Sequence, residues 1–517
     1  MTRSGWGGEL GGVAVIGAGV GGCYTACRLT AGARQVTLYE SGYRVGGRIW
    51  SVPVRGGGWA ELGAMRLNTE AAPVMALLKH LGLAGSLVPF SFGRPENLVR
   101  ARGRVVRQRN ASQGLGAAYR LTGREWGADA DGLVLATVEA AVPGFSALRE
   151  KYHGAVQEGR AGDADQALVD YRAAREASVV RGKPLRELSW PGVLAAGLSP
   201  EALRLVTDTS GYDVHPGGAA EWIDVVFHTP PRAEYVTLSC GIQALPTALH
   251  GEFRKAGGRT CWGRRLTRID RAAGGYELTF AIDDQEGHDT GRCLRVQAET
   301  VVLALPQGAL RRIDAGPAVF GPRWRHDLDT VEAVRATKLF LAYDQPWWRA
   351  CGLSSGRSTT DLPLRQLWYE PGGAPRLLLA AYPSGPSAAV WDHLRTGATY
   401  REPASRAMFA GPPAPAAAVD YAHRLLCRMH RVRARPPVAA CWQDWGVHPR
   451  AEAWHLWRPG QDSQQVAARM RAPGPGVGLH VVSDCWTGDP GSIPATLGCA
   501  EQVLREHLEA DLPPWIP

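Results

Sequence analysis

The stretch GGVAVIGAGVGGCYTACRL, residues 11–29, decides the fold class. Its four apolar residues 13–16 (VAVI) read as a short buried strand that runs directly into Gly17, Gly19 and Gly22 at G-x-G-x-x-G spacing. Such glycines permit a tight turn, a close approach of backbone to a pyrophosphate, and close contact between helix and strand. The apolar-periodic stretch 23–29 follows as a helix whose N-terminus would offer free N–H groups to phosphates. A second strand, residues 35–39 (QVTLY), ends in Glu40, where an acid can accept hydrogen bonds from ribose hydroxyls. A glycine triplet alone is weak, but strand, helix and terminal acid together predict a dinucleotide-binding α/β unit.

Glu40 would repel a 2′-phosphate, which argues against NADP. The next residues, SGYRVGGRIWS (41–51), add Gly46, Gly47 and Arg48 a short loop beyond the ribose acid. An NAD dehydrogenase does not need this second glycine pair and arginine, whereas the longer FAD profits from another contact at its pyrophosphate. FAD is therefore the expected cofactor.

At 517 residues the chain needs more than one core, and 45% hydrophobic with 21% charged residues is a globular composition. The net charge of +9 is carried by arginine, for only Lys79, Lys151, Lys183, Lys255 and Lys338 are lysines. The arginines are interleaved with acids, so no nucleic-acid partner is expected. No apolar run is long enough for a membrane helix, and no secretory leader is evident, so no membrane association is expected. The ten cysteines form no C-x-x-C pair and no metal-ligand cluster, which predicts free thiols, no metal and a cytoplasmic setting.

Two further stretches look like nucleotide-binding material: residues 238–306, with the strand TVVLAL (300–305), and the C-terminal part from Gly478, where LHVVSD (479–484) precedes a helix over 494–508. The expected fold is α/β, with a discontinuous Rossmann-like FAD-binding domain (1–70, 236–306 and 465–517) and a mixed α+β substrate-binding domain (71–235 and 307–464). The latter carries a helical insert near 110–230. Within it, 148–180 read as helix and 365–382 as a hairpin, RQLWYE–PGGAP–RLLLAAY in outline.

These blocks, with ELGAMRL (61–67), GIQALPTAL (241–249), ATKLFLAYDQPWW (336–348) and VVSDCWTGDPGSIPATLGCAEQVL (481–504), resemble the flavin-dependent amine oxidase family. The resemblance is to its L-amino acid oxidase and tryptophan 2-monooxygenase branch. It implies that Glu40 holds the adenosine ribose, that Gly47 and Arg48 sit at the pyrophosphate, and that Leu266 offers its backbone to the adenine. Gly63, Ala64 and Met65 would face the isoalloxazine ring, and Arg66 would grip a substrate carboxylate; a structural salt bridge is the other use of Arg66. Lys338 matches the lysine that reaches the flavin N5 through a water, against the plainer reading of a solvent-facing edge-strand lysine. Asp484 stands where the family has glutamate, still able to accept a ribityl hydrogen bond. Ser492 and Ile493 stand where an aromatic wall is usual.

In CWQDWGVHPRAEAWHLWRPG (441–460), which also holds His448, Trp454 and Trp457 suit either a pocket wall or interdomain packing, and His455 reads as structural. On the hairpin, alternation turns one of Trp368 and Tyr369 inward; the resemblance implies a tyrosine there that touches the carboxylate, which is taken to be Tyr369, against the plainer reading of a solvent-facing strand tyrosine. His215 and Trp222 sit in GYDVHPGGAAEW (211–222) without an assigned role. The resulting expectation is oxidation of an L-amino acid, with an aromatic or tryptophan-like side chain, by O2 to imino or keto acid, ammonia and H2O2. A monooxygenase acting on an aryl amino or keto acid, and a catalytically inert flavin-binding paralogue, remain as alternatives. A homodimer is left open.

Overall fold

The computed structural model describes residues 5–6 and 12–516, apart from 232, 317, 448–451, 475 and 477. His448 thus lies outside the described residues. Five parallel strands form the nucleotide sheet in the order Arg259–Cys261, Val36–Tyr39, Val13–Ile16, Thr300–Leu303, Leu479–Val481. Their sequences are short continuous apolar runs because both faces are covered. In the first strand Val13 and Val15 enter one core with the helices Val20–Ala31, Ala244–Lys255 and Ile493–His507, while Ala14 and Ile16 enter another. The second core lies under an antiparallel meander of Arg264–Ala272, Gly275–Asp283 and Asp289–Ala298.

A second sheet has seven strands, ordered Ala439–Asp444, Thr337–Ala342, Leu377–Ala381, Gln366–Tyr369, Gly356–Thr360, Leu98–Ala101, Arg104–Arg107. The hairpin over 365–382 is present, with strands Gln366–Tyr369 and Leu377–Ala381 paired antiparallel. The stretch read as one helical region, 148–180, is two helices, Phe145–Gln157 and Ala161–Ala177, broken at the Gly159 turn. They belong to a layer of helices between Ala111 and His228 with its own aromatic core. Among the described residues no single helix is long and apolar enough to cross a membrane, and all ten cysteines are free.

Candidate active site

One cavity of about 1450 Å³ runs from the first glycine turn, past the seven-stranded sheet, into the helical layer. Its nucleotide end is shaped by backbone. Gly17 has φ +103° and a Cβ there would meet the Ala304 carbonyl at 2.5 Å, while a Cβ on Gly22 would lie 1.8 Å from the Gly17 carbonyl oxygen. Gly19 is different: it lines the cavity, and a Cβ on it would meet nothing within 4 Å. A side chain at Gly19 would fill the space in front of the helix N-terminus, where phosphates bind. Glu40, at the end of the second strand, accepts hydrogen bonds from the amides of Ala18 (2.7 Å) and Gly42 (2.7 Å). Its remaining lone pairs can take ribose hydroxyls from the cavity side.

Gly47 and Arg48 come next on the same wall. Gly47, at φ +55°, is held so close to Gly19 that a Cβ would stand 3.2 Å from the Gly19 Cα. Arg48 grips Asp484 with both terminal nitrogens and donates to the Ala453 carbonyl at 3.3 Å. Burial works against the Asp484 charge, but Arg48 holds its carboxyl below the usual range. Asp484 also accepts from the Gly491 amide at 2.8 Å. The acid expected at the ribityl chain and the arginine expected at the pyrophosphate are thus one ion pair.

The Leu266 side chain faces the core under the meander with Tyr39 and Phe280, while its neighbour Arg265, tied to Asp283 and Asp289, lines the cavity. The parity of the strand decides this, since Leu266 is the apolar one of the two and turns inward.

The middle of the cavity is bounded by Gly63, Ala64, Met65, Arg66 and Lys338. Gly63 is obligatory there, as a Cβ would lie 1.8 Å from the Arg48 carbonyl oxygen. Lys338 lies on a central strand, not an edge, and only 2% of it is exposed. Its ammonium donates to the carbonyls of Glu61 (3.0 Å) and Gly63 (2.5 Å), which leaves a third N–H on the cavity side. Burial pushes Lys338 down to about 7, partly countered by Glu61. Burial also pushes Glu61 up to about 7, against hydrogen bonds from Ser51 and the Ile242 amide.

Arg66 makes no ion pair with an acid among the described residues, so the salt-bridge reading is not what the structure has. Its guanidinium lies 4.8 Å from the Phe92 ring centre and 5.3 Å from that of Tyr235, with the Tyr212 hydroxyl beside it. The Tyr382 ring meets that of Tyr212 edge-on at 5.7 Å. Burial opposes ionisation of Tyr212, yet Arg66 and Arg357 pull it below the usual tyrosine range.

Tyr369 does not reach this site. Its hydroxyl bonds His430 Nε2 (2.7 Å) and Ser358 Oγ (2.9 Å) in the core beneath the helix Ala416–His430. Trp368 is the inward member, packed against Phe90, Phe92 and Tyr382. The tyrosine at the cavity is Tyr382, one residue past the partner strand.

Ser492 is the N-cap of the helix Ile493–His507, its Oγ accepting from the Ala495 amide at 3.2 Å. That first turn, including Ile493, faces the cavity. The aromatic wall comes instead from Trp454, which lies so close over Gly491 that a Cβ there would stand 2.6 Å from the Trp454 Cβ. Tyr212 meets Trp454 edge-on at 5.9 Å. Trp457, three residues on, is core, with its indole N–H on the Thr487 carbonyl. His455 is buried between Glu452 (3.2 Å) and the Cys485 sulfur (3.2 Å); although burial opposes it, these partners raise the imidazole to about 10. Donor atoms of His455, Asp484 and Cys485 lie within 4.8 Å of one another, but Arg48 already holds both Asp484 oxygens.

The sequence family described as flavin containing amine oxidoreductase matches residues 22–495. The chain belongs to that family. Its cofactor is FAD, and the open face of Gly19, the Glu40 strand end and the Arg48 loop are the residues that fit it. This amine oxidoreductase is 25% identical to Aplysianin-A of Aplysia kurodai, over 96% of this chain and 90% of the other. It is 26% identical to an L-amino-acid oxidase of Mus musculus over 75% of this chain, spanning 56% of that protein's length. Against the L-amino-acid oxidase BjussuLAAO-I of Bothrops jararacussu the identity is 26%, covering 69% of this chain and 65% of the other. Among solved structures, a putrescine oxidase variant aligns over 97% of this chain and 99% of its own with a TM-score of 0.66 at 16% identity. Wild-type putrescine oxidase bound to putrescine gives 0.64 with the same coverage. The family oxidoreductase fold is thereby shared across the whole chain.

Sequence patterns did not single out Tyr212, Tyr382 or Glu61. Tyr382 closes the predicted strand RLLLAAY and was within reach of the hairpin reading. Tyr212 lies in an irregular stretch where no periodicity operates.

Proposed function

We propose that this flavin amine oxidase oxidises the α-amino group of an L-amino acid. Arg66 carries the reading: a guanidinium on the cavity wall beside Lys338, without an acid partner among the described residues and flanked by the hydroxyl of Tyr212. A planar fork of donors in that setting is suited to a carboxylate, and pairing in two hydrogen bonds would fix the substrate Cα–H in one orientation. Held along Gly19, Glu40 and Arg48, FAD would supply the hydride acceptor for Cα, with dioxygen as the final oxidant, so that the products would be hydrogen peroxide and an imino acid that water converts to keto acid and ammonia. Lys338 contributes a donor held by two carbonyls and aimed at the cavity, while Trp454 and Tyr382 exclude water from the reacting face. The mouse and Bothrops relatives named L-amino-acid oxidase support the reading.

An aromatic side chain would pack on Trp454 and Tyr212, which line the same cavity. An anaerobic screen of L-amino acids for loss of flavin colour tests the proposal, with ammonia, peroxide and keto acid measured on readmitting air. Oxygen-18 from dioxygen appearing in the organic product would establish an oxygenase instead. No bleaching by any α-amino acid would remove the proposal.

A further inference from the structure

The loop that carries Arg66 is held both through its amides and through its carbonyls. The Leu62 amide donates to the Trp50 carbonyl at 2.8 Å, and the Ala64 amide to the Arg48 carbonyl at 3.1 Å. Three successive carbonyls are then taken by two side chains of the seven-stranded sheet. Lys338 donates to those of Glu61 (3.0 Å) and Gly63 (2.5 Å), and the Trp445 indole N–H donates to that of Leu62 at 2.7 Å. Beyond Arg66 the chain is pinned again, since Leu67 pairs with Val236.

Trp445 is itself fixed in place. It follows the strand Ala439–Asp444, its amide donates to the Ala336 carbonyl at 2.8 Å, and it is buried. Asp444 before it is gripped by Arg335 and accepts from the Gly446 amide behind it at 2.7 Å. The Arg335 stem lies so close to Gly446 that a Cβ there would stand 1.9 Å from it. The turn thus sets the indole in one position, with the residue on the cavity wall and its N–H on the loop. Lys338 keeps a third N–H for the cavity, whereas an indole has a single donor, and here the loop has it.

We infer that Trp445 is a positioning residue: by holding the Leu62 carbonyl it fixes the segment 62–66, and with it the Arg66 guanidinium, in the orientation that reads a substrate carboxylate. The inference rests on the carboxylate reading of Arg66 given above. Without the indole N–H, the Leu62 carbonyl is a buried acceptor that has lost its donor, and the loop must move to satisfy it. Arg66 lies between this clamp and the Leu67 pairing, so a shift of the loop passes to it. A fork that binds a carboxylate through two bonds tolerates little displacement, and misplacement of a bound substrate is costly to the reaction.

The test uses the FAD-loaded enzyme and needs no turnover. Hydrogen exchange of the peptide 61–67 is compared in native and Trp445→Phe protein, with the glycine turn 17–22 as reference. The phenylalanine keeps a ring on the wall and removes the donor, so exchange in 61–67 should quicken by about fivefold or more while 17–22 is unchanged. Unchanged exchange in 61–67, or equal quickening of both peptides, would overturn the proposal. Butyrate, which has no amino group to oxidise, is then titrated against the flavin absorbance of the native enzyme, Trp445→Phe, Arg66→Ala and the double variant. Loss of the indole should weaken butyrate by about fivefold or more when Arg66 is present, and by less than about twofold when it is absent. Equal weakening in both backgrounds would mean that Trp445 meets the ligand directly, which overturns the positioning role. Should Trp445→Phe not fold, Trp445→Met, which also lacks the donor, takes its place with the same outcomes. Faster exchange in 61–67 together with butyrate binding indifferent to Arg66→Ala would leave the clamp standing and remove the carboxylate reading of Arg66.

Discussion

Lys338 is held by two carbonyl oxygens in a nearly dry site, so its charge is expensive and its proton is loosely held, at about 7. Below that pH the ammonium can stabilise the negative charge that develops on dioxygen as it is reduced; above it the amine cannot. Reoxidation of chemically reduced enzyme should therefore slow as pH rises through about 7. Lys338→Met should be slow and flat over the same range; a variant keeping the native pH step would show that another group causes it. Arg66 lends itself to a different separation. If Arg66 holds the substrate carboxylate and not the nucleotide, Arg66→Ala should raise KM at least tenfold, corresponding to about 1.4 kcal/mol, with FAD occupancy unchanged. Native KM in that variant would take the carboxylate away from Arg66. Both residues were legible in the sequence because each stands in a motif with a fixed neighbour, Gly63 for one and the PWW run for the other. Tyr369 was not, since alternation tells that one residue of a pair turns inward and not which.

At the level of elements, the first turn and helix make distinct uses of their glycines. Gly22 is needed for packing and Gly19 for space, and a methyl group distinguishes them. Gly22→Ala puts a carbon 1.8 Å from a backbone oxygen that cannot give way, so the helix must shift and soluble yield should fall sharply. Gly19→Ala meets nothing within 4 Å and has an ordinary backbone angle, so the apoprotein should fold with an unchanged Tm and lose FAD occupancy. Equal FAD occupancy in native and Gly19→Ala protein at limiting FAD would contradict a phosphate at that face. The strand VAVI, its turn and its helix were readable because local periodicity and close-approach glycines are short-range facts. The Ser492 position was misleading for the same reason in reverse: a serine before an apolar run is an N-cap, with an amide to satisfy, and the missing aromatic ring is supplied by Trp454 from a strand distant in sequence.

Over the whole molecule, the nucleotide sheet draws strands from residues 13–39, 259–303 and 479–481, so its closure depends on contacts between the first and last parts of the chain. The Arg48–Asp484 pair is such a contact, joining residues 436 apart. Asp484 is 3% exposed at its side chain and Arg48 is 28% exposed, on the cavity side. Removing one partner of a buried pair costs about 3–5 kcal/mol, because the other charge is left behind. Asp484→Asn should therefore lower the Tm of the apoprotein by several degrees. FAD brings its own anion to the same wall, and the asparagine carbonyl can still accept a ribityl hydroxyl. Ligand at a thousandfold excess over its Kd adds about 4 kcal/mol to any folded protein. In Asp484→Asn it should add more than in the native chain, since the pyrophosphate also relieves the stranded Arg48. The comparison is the FAD-induced rise in Tm in the two proteins: a larger rise in the variant places the phosphates beside Arg48. An equal or smaller rise would mean that Arg48 serves Asp484 alone, as a clasp between the two ends of the chain.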